Sequence, residues 1–262
     1  MSRIKIAVVQ SPLVWQQPAA NYQLLAERMD GAAGADLYVL PEMFNTGFSM
    51  NSAQIAEDMD GPTASWLRSQ SKTRGAAICG SAAIRVESGV VNRLLFATPD
   101  GQLQYYDKRH LFRMGNEHQH YQAGTQRVVV EHLGWRFCLQ VCYDLRFPVF
   151  ARNRQDYDAL IYVANWPAPR RQVWRTLLQA RALENQVAVI GCNRVGTDDN
   201  GLDYSGDSLL VDHLGALLAD GADGRDDVLK ATFDLSVQQQ FQQKFPAYLD
   251  ADAFSLNGVF DG

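Results

Sequence analysis

Residues 135–152, WRFCLQVCYDLRFPVFAR, decide how the rest of the chain is read. Arg136 to Val141 alternates polar and apolar residues among β-branched and aromatic side chains, the pattern of a buried strand ending near Cys142. Tyr143-Asp144 supplies an immediate turn, because an aspartate can accept the orphan backbone N–H groups at a helix N-terminus, and LRFPVFARNR beyond it has helical spacing. Cys142 is thereby placed at a strand-to-helix corner, where unpaired N–H groups and a helix dipole favour the nucleophilic thiolate. The other three cysteines, Cys79, Cys138 and Cys192, lie inside apolar strand-like runs and read as small core hydrophobes.

Composition bounds the functional classes. A chain of 262 residues with 47% hydrophobic residues can bury a sizeable core, and one domain spanning 1–262, with an extended C-terminal tail from about 237, is the preferred division. A formal net charge of -5, with Lys and Arg scattered, argues against nucleic-acid or anionic-membrane partners and for small-molecule chemistry. Four cysteines are sparse for a chain of this length, and their positions in or at the end of strands suit reduced thiols. MSRIKIAVVQSP breaks too soon at Gln10 for a signal peptide, and no apolar run approaches the ~20 residues that cross a bilayer. A cytoplasmic location is expected.

Outward from the corner, the chain alternates strands and helices. IKIAVVQ is a strand, PAANYQLLAERMDGAAGA an amphipathic helix, and DLYVLPEMF an apolar strand stopped by Pro41, with Glu42 just past its end. A carboxylate in partly apolar company suits a general base, with a solvated loop glutamate as the alternative. GPTASWLRSQSKTRG is a helix, AAICGSAAIRV a strand, and Pro99-Asp100-Gly101 turns a hairpin that delivers Lys108 beyond its second strand. RMGNEHQHYQAG is a polar loop; its His118 and His120 lack the partners of a zinc motif. DALIYVAN, RQVWRTLLQARALEN and VAVIGCNRV form a βαβ unit; two short strands about Asp212–Gly215, the strand VLKATFDL and a helical start to the tail complete the chain.

Glu42, Lys108 and Cys142 all fall just past strand ends, where α/β sheets collect ligands. Together they can perform nucleophilic acyl chemistry: the carboxylate takes the thiol proton, the sulfur attacks an electrophilic carbon, and the ammonium stabilises the charge developing on oxygen.

In that order LPEMF, YYDKRHLF and VCYDLRFP resemble the nitrilase, or carbon–nitrogen hydrolase, superfamily, over nearly the whole chain. The resemblance implies an α-β-β-α sandwich of two mixed sheets flanked by helices and a catalytic triad of Glu42 as base, Lys108 as oxyanion stabiliser and Cys142 as nucleophile. It further implies a backbone N–H of Tyr143 in the oxyanion hole, Glu117 as a supporting second glutamate, no metal or organic cofactor, and a homodimer docked through the 170–186 helix. CYDLRFP with PEMFNTGFS and NWPAPR most resembles the omega-amidase branch, which implies hydrolysis of the terminal amide of 2-oxo acids such as 2-oxoglutaramate and 2-oxosuccinamate. Another amide, an N-carbamoyl amine or a nitrile would suit the same triad, and a non-catalytic binding module is the reading from a different class. A buried substrate carboxylate needs an arginine. Arg113, Arg146, Arg170 and Arg171 are candidates, Arg113 and Arg170 being placed with the substrate-binding residues; a structural ion pair is the alternative for each and the favoured reading for Arg146, in its helix. Phe44, Phe48 and Trp166 either wall the pocket or pack in the core.

Overall fold

Period-two alternation in the strands builds two faces per sheet. In Arg3–Gln10, Ile4, Ile6 and Val8 join one core cluster while Ala7 and Val9 join another. In Ala159–Ala164 the odd residues Ala159, Ile161 and Val163 share the first cluster, and Leu160, Tyr162 and Ala164 belong to a third. A strand apolar on both faces must be covered on both. The chain meets that demand by stacking two six-stranded sheets face to face and laying helices on their outer sides.

The computed structural model describes residues 2–222, 224–256 and 260–261. The first sheet runs, in spatial order, Asp227–Asp234, Arg3–Gln10, Leu37–Val39, Ala77–Val86, Gly89–Ala97 and Leu103–Asp107. The second runs Leu217–Asp220, Leu209–Val211, Ala188–Asn193, Ala159–Ala164, Trp135–Val141 and Val129–His132. Both are mixed: Leu37–Val39 lies parallel to its two neighbours, as does Ala159–Ala164, and antiparallel pairs close the edges. The layer between the sheets holds Val39, Cys79 and Phe96 from one and Leu139, Ile161 and Ile190 from the other. This is the expected α-β-β-α sandwich.

Helices attach by short stripes at four-residue spacing. Pro18–Asp30 buries Asn21, Leu25 and Met29, and Arg171–Asn185 buries Trp174, Leu178 and Ala182. Leu178 sits so close to the second sheet that a Cβ on Gly191 would lie 2.4 Å from its Cδ1, so this strand position admits no side chain. Burying a leucine there contributes roughly 1.5–3 kcal/mol. Helix Pro62–Arg74 covers the first sheet and ends at Gly75 with φ 62°, a left-handed stop that glycine adopts without a Cβ penalty.

One segment departs from the expectation. Past Cys142 there is no continuous helix, only a 3₁₀ turn over Cys142–Arg146 and a single helical turn over Pro148–Ala151. Phe147 between them has φ -115° and ψ 84°, since the proline ring that follows disfavours helical geometry in the residue before it. After Asp227–Asp234 the chain is helical over Leu235–Lys244 and mostly irregular beyond, apart from a 3₁₀ turn at Ala247–Asp250. No helix among the described residues is long and apolar enough to cross a membrane.

Candidate active site

Four strands deliver their next residues to one end of the sandwich. Glu42 follows Leu37–Val39, Lys108 follows Leu103–Asp107, Cys142 follows Trp135–Val141, and Asn165 follows Ala159–Ala164. The first two come from one sheet and the last two from the other, so the site straddles the sheet–sheet seam.

At its centre is a buried charge cluster. Lys108 Nζ donates to Glu42 Oε1 at 2.9 Å and to both oxygens of Glu117, at 3.0 and 2.9 Å, and all three side chains are fully buried. Asn92 Nδ2 donates to Glu42 Oε1 at 2.8 Å and also reaches Glu117 Oε1 at 3.3 Å; the backbone N–H of Phe112 holds Glu117 Oε2 at 2.6 Å. The second Glu42 oxygen accepts from the Asn165 backbone N–H at 2.8 Å. Such closure is needed, because an ion taken out of water costs several kcal/mol unless its partners are complete. Burial by itself would drive the Lys108 ammonium down, but the two carboxylates overcome it and hold the group above its ordinary value. Glu117 is shifted upward, by burial first and then by the like charge of Glu42, against the pull of Lys108.

Cys142 stands beside this cluster in a left-handed conformation, φ 47°, unusual for a residue bearing a Cβ. Burial, followed by the Glu42 charge, pushes its thiol well above the ordinary thiol range despite Lys108. This corrects the expectation of a resting thiolate at a helix dipole. A five-residue 3₁₀ turn offers little dipole, and the nearest charges include two carboxylates. The resting group is a thiol. The remaining cysteines are fully buried, as read from their apolar runs, and burial raises each of them, Cys138 to about 11.

The thiol opens into a cavity of about 280 Å³. Phe48, Tyr143, Trp166 and Arg170 line it, and Lys108 Nζ lies 5.1 Å from the centre of the Phe48 ring. Phe44 does not. It is fully buried on the outer side of the first sheet against Trp66, in the room left by Gly80, where a Cβ would come within 2.7 Å of its ring. Arg113 is also elsewhere, exposed on the turn Arg113–Gly115 and facing a separate cleft with His118. Arg171 is held by Asp207 at 2.7 and 3.0 Å. Arg146 reverses its reading: it makes no ion pair among the described residues, lies over the Trp166 ring at 5.2 Å and lines the cavity. Because Pro148 breaks the expected helix, Arg146 ends a turn that faces the pocket instead of standing on a helix flank.

Sequence reasoning passed over Asn92, Asn165 and the hairpin Val195–Ser205, whose Asp198, Leu202 and Tyr204 form the far wall. A signal existed for Asn165, a polar residue closing an apolar strand as Glu42 and Lys108 do, and for Asn92, the one polar side chain in VVNRLLFA before the arginine.

Two stacked sheets with a thiol, a buried carboxylate and a buried ammonium at their shared strand ends define a class, the cysteine-dependent hydrolases. The model of the carbon-nitrogen hydrolase family matches residues 5–243, and the chain belongs to that family. It is 50% identical to the omega-amidase YafV of Yersinia enterocolitica, over 98% of this chain and all of that one. It is 36% identical to the 2-oxoglutaramate amidase of Bacillus subtilis, over 82% of this chain and 85% of the relative. Among solved structures, a CN-hydrolase superfamily protein from Xanthomonas campestris, carrying an arsenic adduct in its active site, superposes with a TM-score of 0.95 at 48% identity, covering 98% of this chain and 100% of that one.

Proposed function

We propose that the protein is an omega-amidase, hydrolysing the terminal amide of 2-oxo acids such as 2-oxoglutaramate and 2-oxosuccinamate to the dicarboxylate and ammonia. The observation that carries this reading is the presence, in one cavity, of the Cys142 thiol and the guanidinium of Arg146, which makes no ion pair among the described residues. A thiol beside its base suits acyl transfer, and a cation without a partner suits a substrate that brings its own carboxylate. Arg170, over the Phe112 ring at 5.2 Å and likewise without an ion pair among the described residues, adds positive charge at the same wall.

In this reading Glu42 takes the Cys142 proton as sulfur attacks the amide carbon. Lys108 and the backbone N–H of Tyr143 stabilise the oxyanion, with Glu117 holding Lys108 in place. Glu42 returns the proton to nitrogen, the C–N bond breaks and ammonia leaves a thioester. Glu42 then activates water, and hydrolysis releases the acid and the thiol. The residues need no metal or organic cofactor for these steps.

Ammonia release over a panel of 2-oxo-acid amides, N-carbamoyl amino acids and aliphatic nitriles tests the substrate. Highest kcat/KM is expected for the 2-oxo-acid amides, and a preference for nitriles defeats the assignment. Cys142→Ala is expected to abolish turnover with the fold intact. Residues 1–262 would act as one catalytic unit in the cytoplasm, paired with a second copy through helix Arg171–Asn185, on which Leu183 is exposed. Light scattering at micromolar concentration reads the pairing.

A further inference from the structure

The side chain of Asn165 has one end committed and one end open. Its Nδ2 donates to the Glu42 backbone carbonyl at 2.6 Å, and since a carbonyl can only accept, the side-chain oxygen must be the other end. That Oδ1 is buried, on a residue only 4% exposed, and has no hydrogen-bond partner among the described residues. A buried acceptor left unpaired costs free energy, so its retention calls for a partner that arrives later. Asn165 lines the catalytic cavity, and its backbone N–H grips Glu42 Oε2 at 2.8 Å. Glu42 Oε1 is already occupied by Lys108 and Asn92.

The group that must approach Glu42 during the reaction is the leaving nitrogen. To receive the proton it has to come within hydrogen-bond reach of the carboxylate, and therefore beside Asn165, which is fastened to the same residue at two points. A primary amide nitrogen carries two hydrogens. As the carbon becomes tetrahedral and the nitrogen gains basicity, one lone pair faces the Glu42 proton and an N–H remains to be placed. We propose that Asn165 Oδ1 accepts an N–H of the scissile amide and of the departing ammonia, making Asn165 the residue that selects an amide leaving group. The inference rests on the amidase reading of the site and adds a recognition element to it. When the C–N bond breaks, nitrogen takes the Glu42 proton and leaves as ammonia, with Oδ1 still accepting one of its hydrogens. An ester leaving oxygen has no hydrogen to offer there, so Oδ1 would face its lone pairs.

The test compares the 2-oxo-acid amide with its ω-methyl ester on the wild-type protein and on Asn165→Ala and Asn165→Ser. Loss of the Nδ2 bond to Glu42 disturbs the base and by itself lowers amide turnover more than ester turnover. Asn92→Ala, which also removes a Glu42 hydrogen bond but leaves Asn165 Oδ1 in place, measures that effect on the amide-to-ester ratio of kcat/KM. A fall of the ratio in Asn165→Ala no larger than in Asn92→Ala overturns the inference. The ratio is expected to fall at least about tenfold in Asn165→Ala, a single hydrogen bond's worth of discrimination. Asn165→Ser, milder in volume and able to accept through its hydroxyl, keeps the experiment open should the alanine variant fold poorly, and a smaller fall in the same direction is expected. Parallel loss on both substrates, leaving the ratio unchanged, overturns the inference. A wild-type protein that hydrolyses no 2-oxo-acid amide overturns the amidase reading instead, and the two failures are distinct.

Discussion

The Tyr106 hydroxyl donates to Asp144 Oδ2 at 2.8 Å, joining the strand that delivers Lys108 to the turn that begins at Cys142. Asp144 is fully buried and also accepts from the Val141 N–H at 2.9 Å, the His110 N–H at 2.9 Å and, at 2.7 Å, His110 Nδ1. The bonded atoms thus flank both reactive residues, one pair on each side of the seam. Removing the Tyr106 hydroxyl deprives a buried carboxylate of one donor, at about 1–3 kcal/mol. Tyr106→Phe is expected to lower the melting temperature by several degrees and kcat by about tenfold, with KM changed less than about threefold. Thermal melts and steady-state kinetics on the same preparation check it; an unchanged kcat would leave Asp144 as a fold-stabilising group only.

Glu117 grips Lys108 with both oxygens. In the proposed mechanism its charge sets how firmly the ammonium is held where the oxyanion forms. Glu117→Gln keeps the shape, leaves Lys108 with Glu42 as its counter-ion and removes the repulsion between the two carboxylates. Stability should therefore change by less than about 2 kcal/mol, well short of the loss that follows when a buried ion is left alone. Activity should fall by about 10²–10³, the scale of a weakened oxyanion donor. Denaturant melts beside kcat separate the two effects.

How far the sequence could be read depended on whether the controlling interaction was local. Strand periodicity and strand-ending motifs are local, so IKIAVVQ, AAICGSAAIRV and DALIYVAN appeared as strands, and Glu42, Lys108 and Cys142 could be placed at their ends. Arg146 was misread because a helix was extended through Phe147-Pro148, where the pre-proline restriction should have stopped it. Phe44, left open between pocket wall and core, packs in the core for a subtler reason. It lies two residues past Glu42, but the left-handed Met43, φ 44°, breaks the simple alternation of faces and turns Phe44 toward Gly80 and Trp66. The thiol's protonation was not local at all, since Glu42 and Glu117 meet Cys142 only across the sandwich.

Arg146 and the cavity wall give the sharpest substrate prediction. A guanidinium pairing with a carboxylate contributes about 1.5–3 kcal/mol as a charge-assisted bond. Arg146→Leu is expected to lower kcat/KM for a 2-oxo-acid amide by about 10–100-fold, mostly through KM. An uncharged aliphatic amide of the same length should change by less than about threefold. Arg170, lying over Phe112, should give a smaller loss on the charged substrate. Equal losses on charged and uncharged amides would assign Arg146 to packing against Trp166 alone.

The protonation of the site can be read directly. Burial and the Glu42 charge raise Cys142, so near neutral pH the sulfur should show no thiolate absorbance when the ultraviolet spectrum of Cys142→Ser is subtracted from that of the wild type. A thiolate band at about pH 7 would instead require a resting charge-separated pair. The same shift carries a stability consequence. Between an unfolded thiol's value, about pH 8.5–9, and its higher folded value, the native state binds more protons than the unfolded state, so stability falls as pH rises. Lys108 acts in the same direction at higher pH: its raised folded value means that its contribution is complete below about pH 10.5 and is lost as pH climbs through the folded value. Melting temperature should therefore decline more steeply above about pH 9 in the wild type than in Cys142→Ser, which lacks the thiol. Superimposable alkaline melting curves for the two would mean that the thiol titrates alike in the folded and unfolded chains, contrary to its place beside two carboxylates.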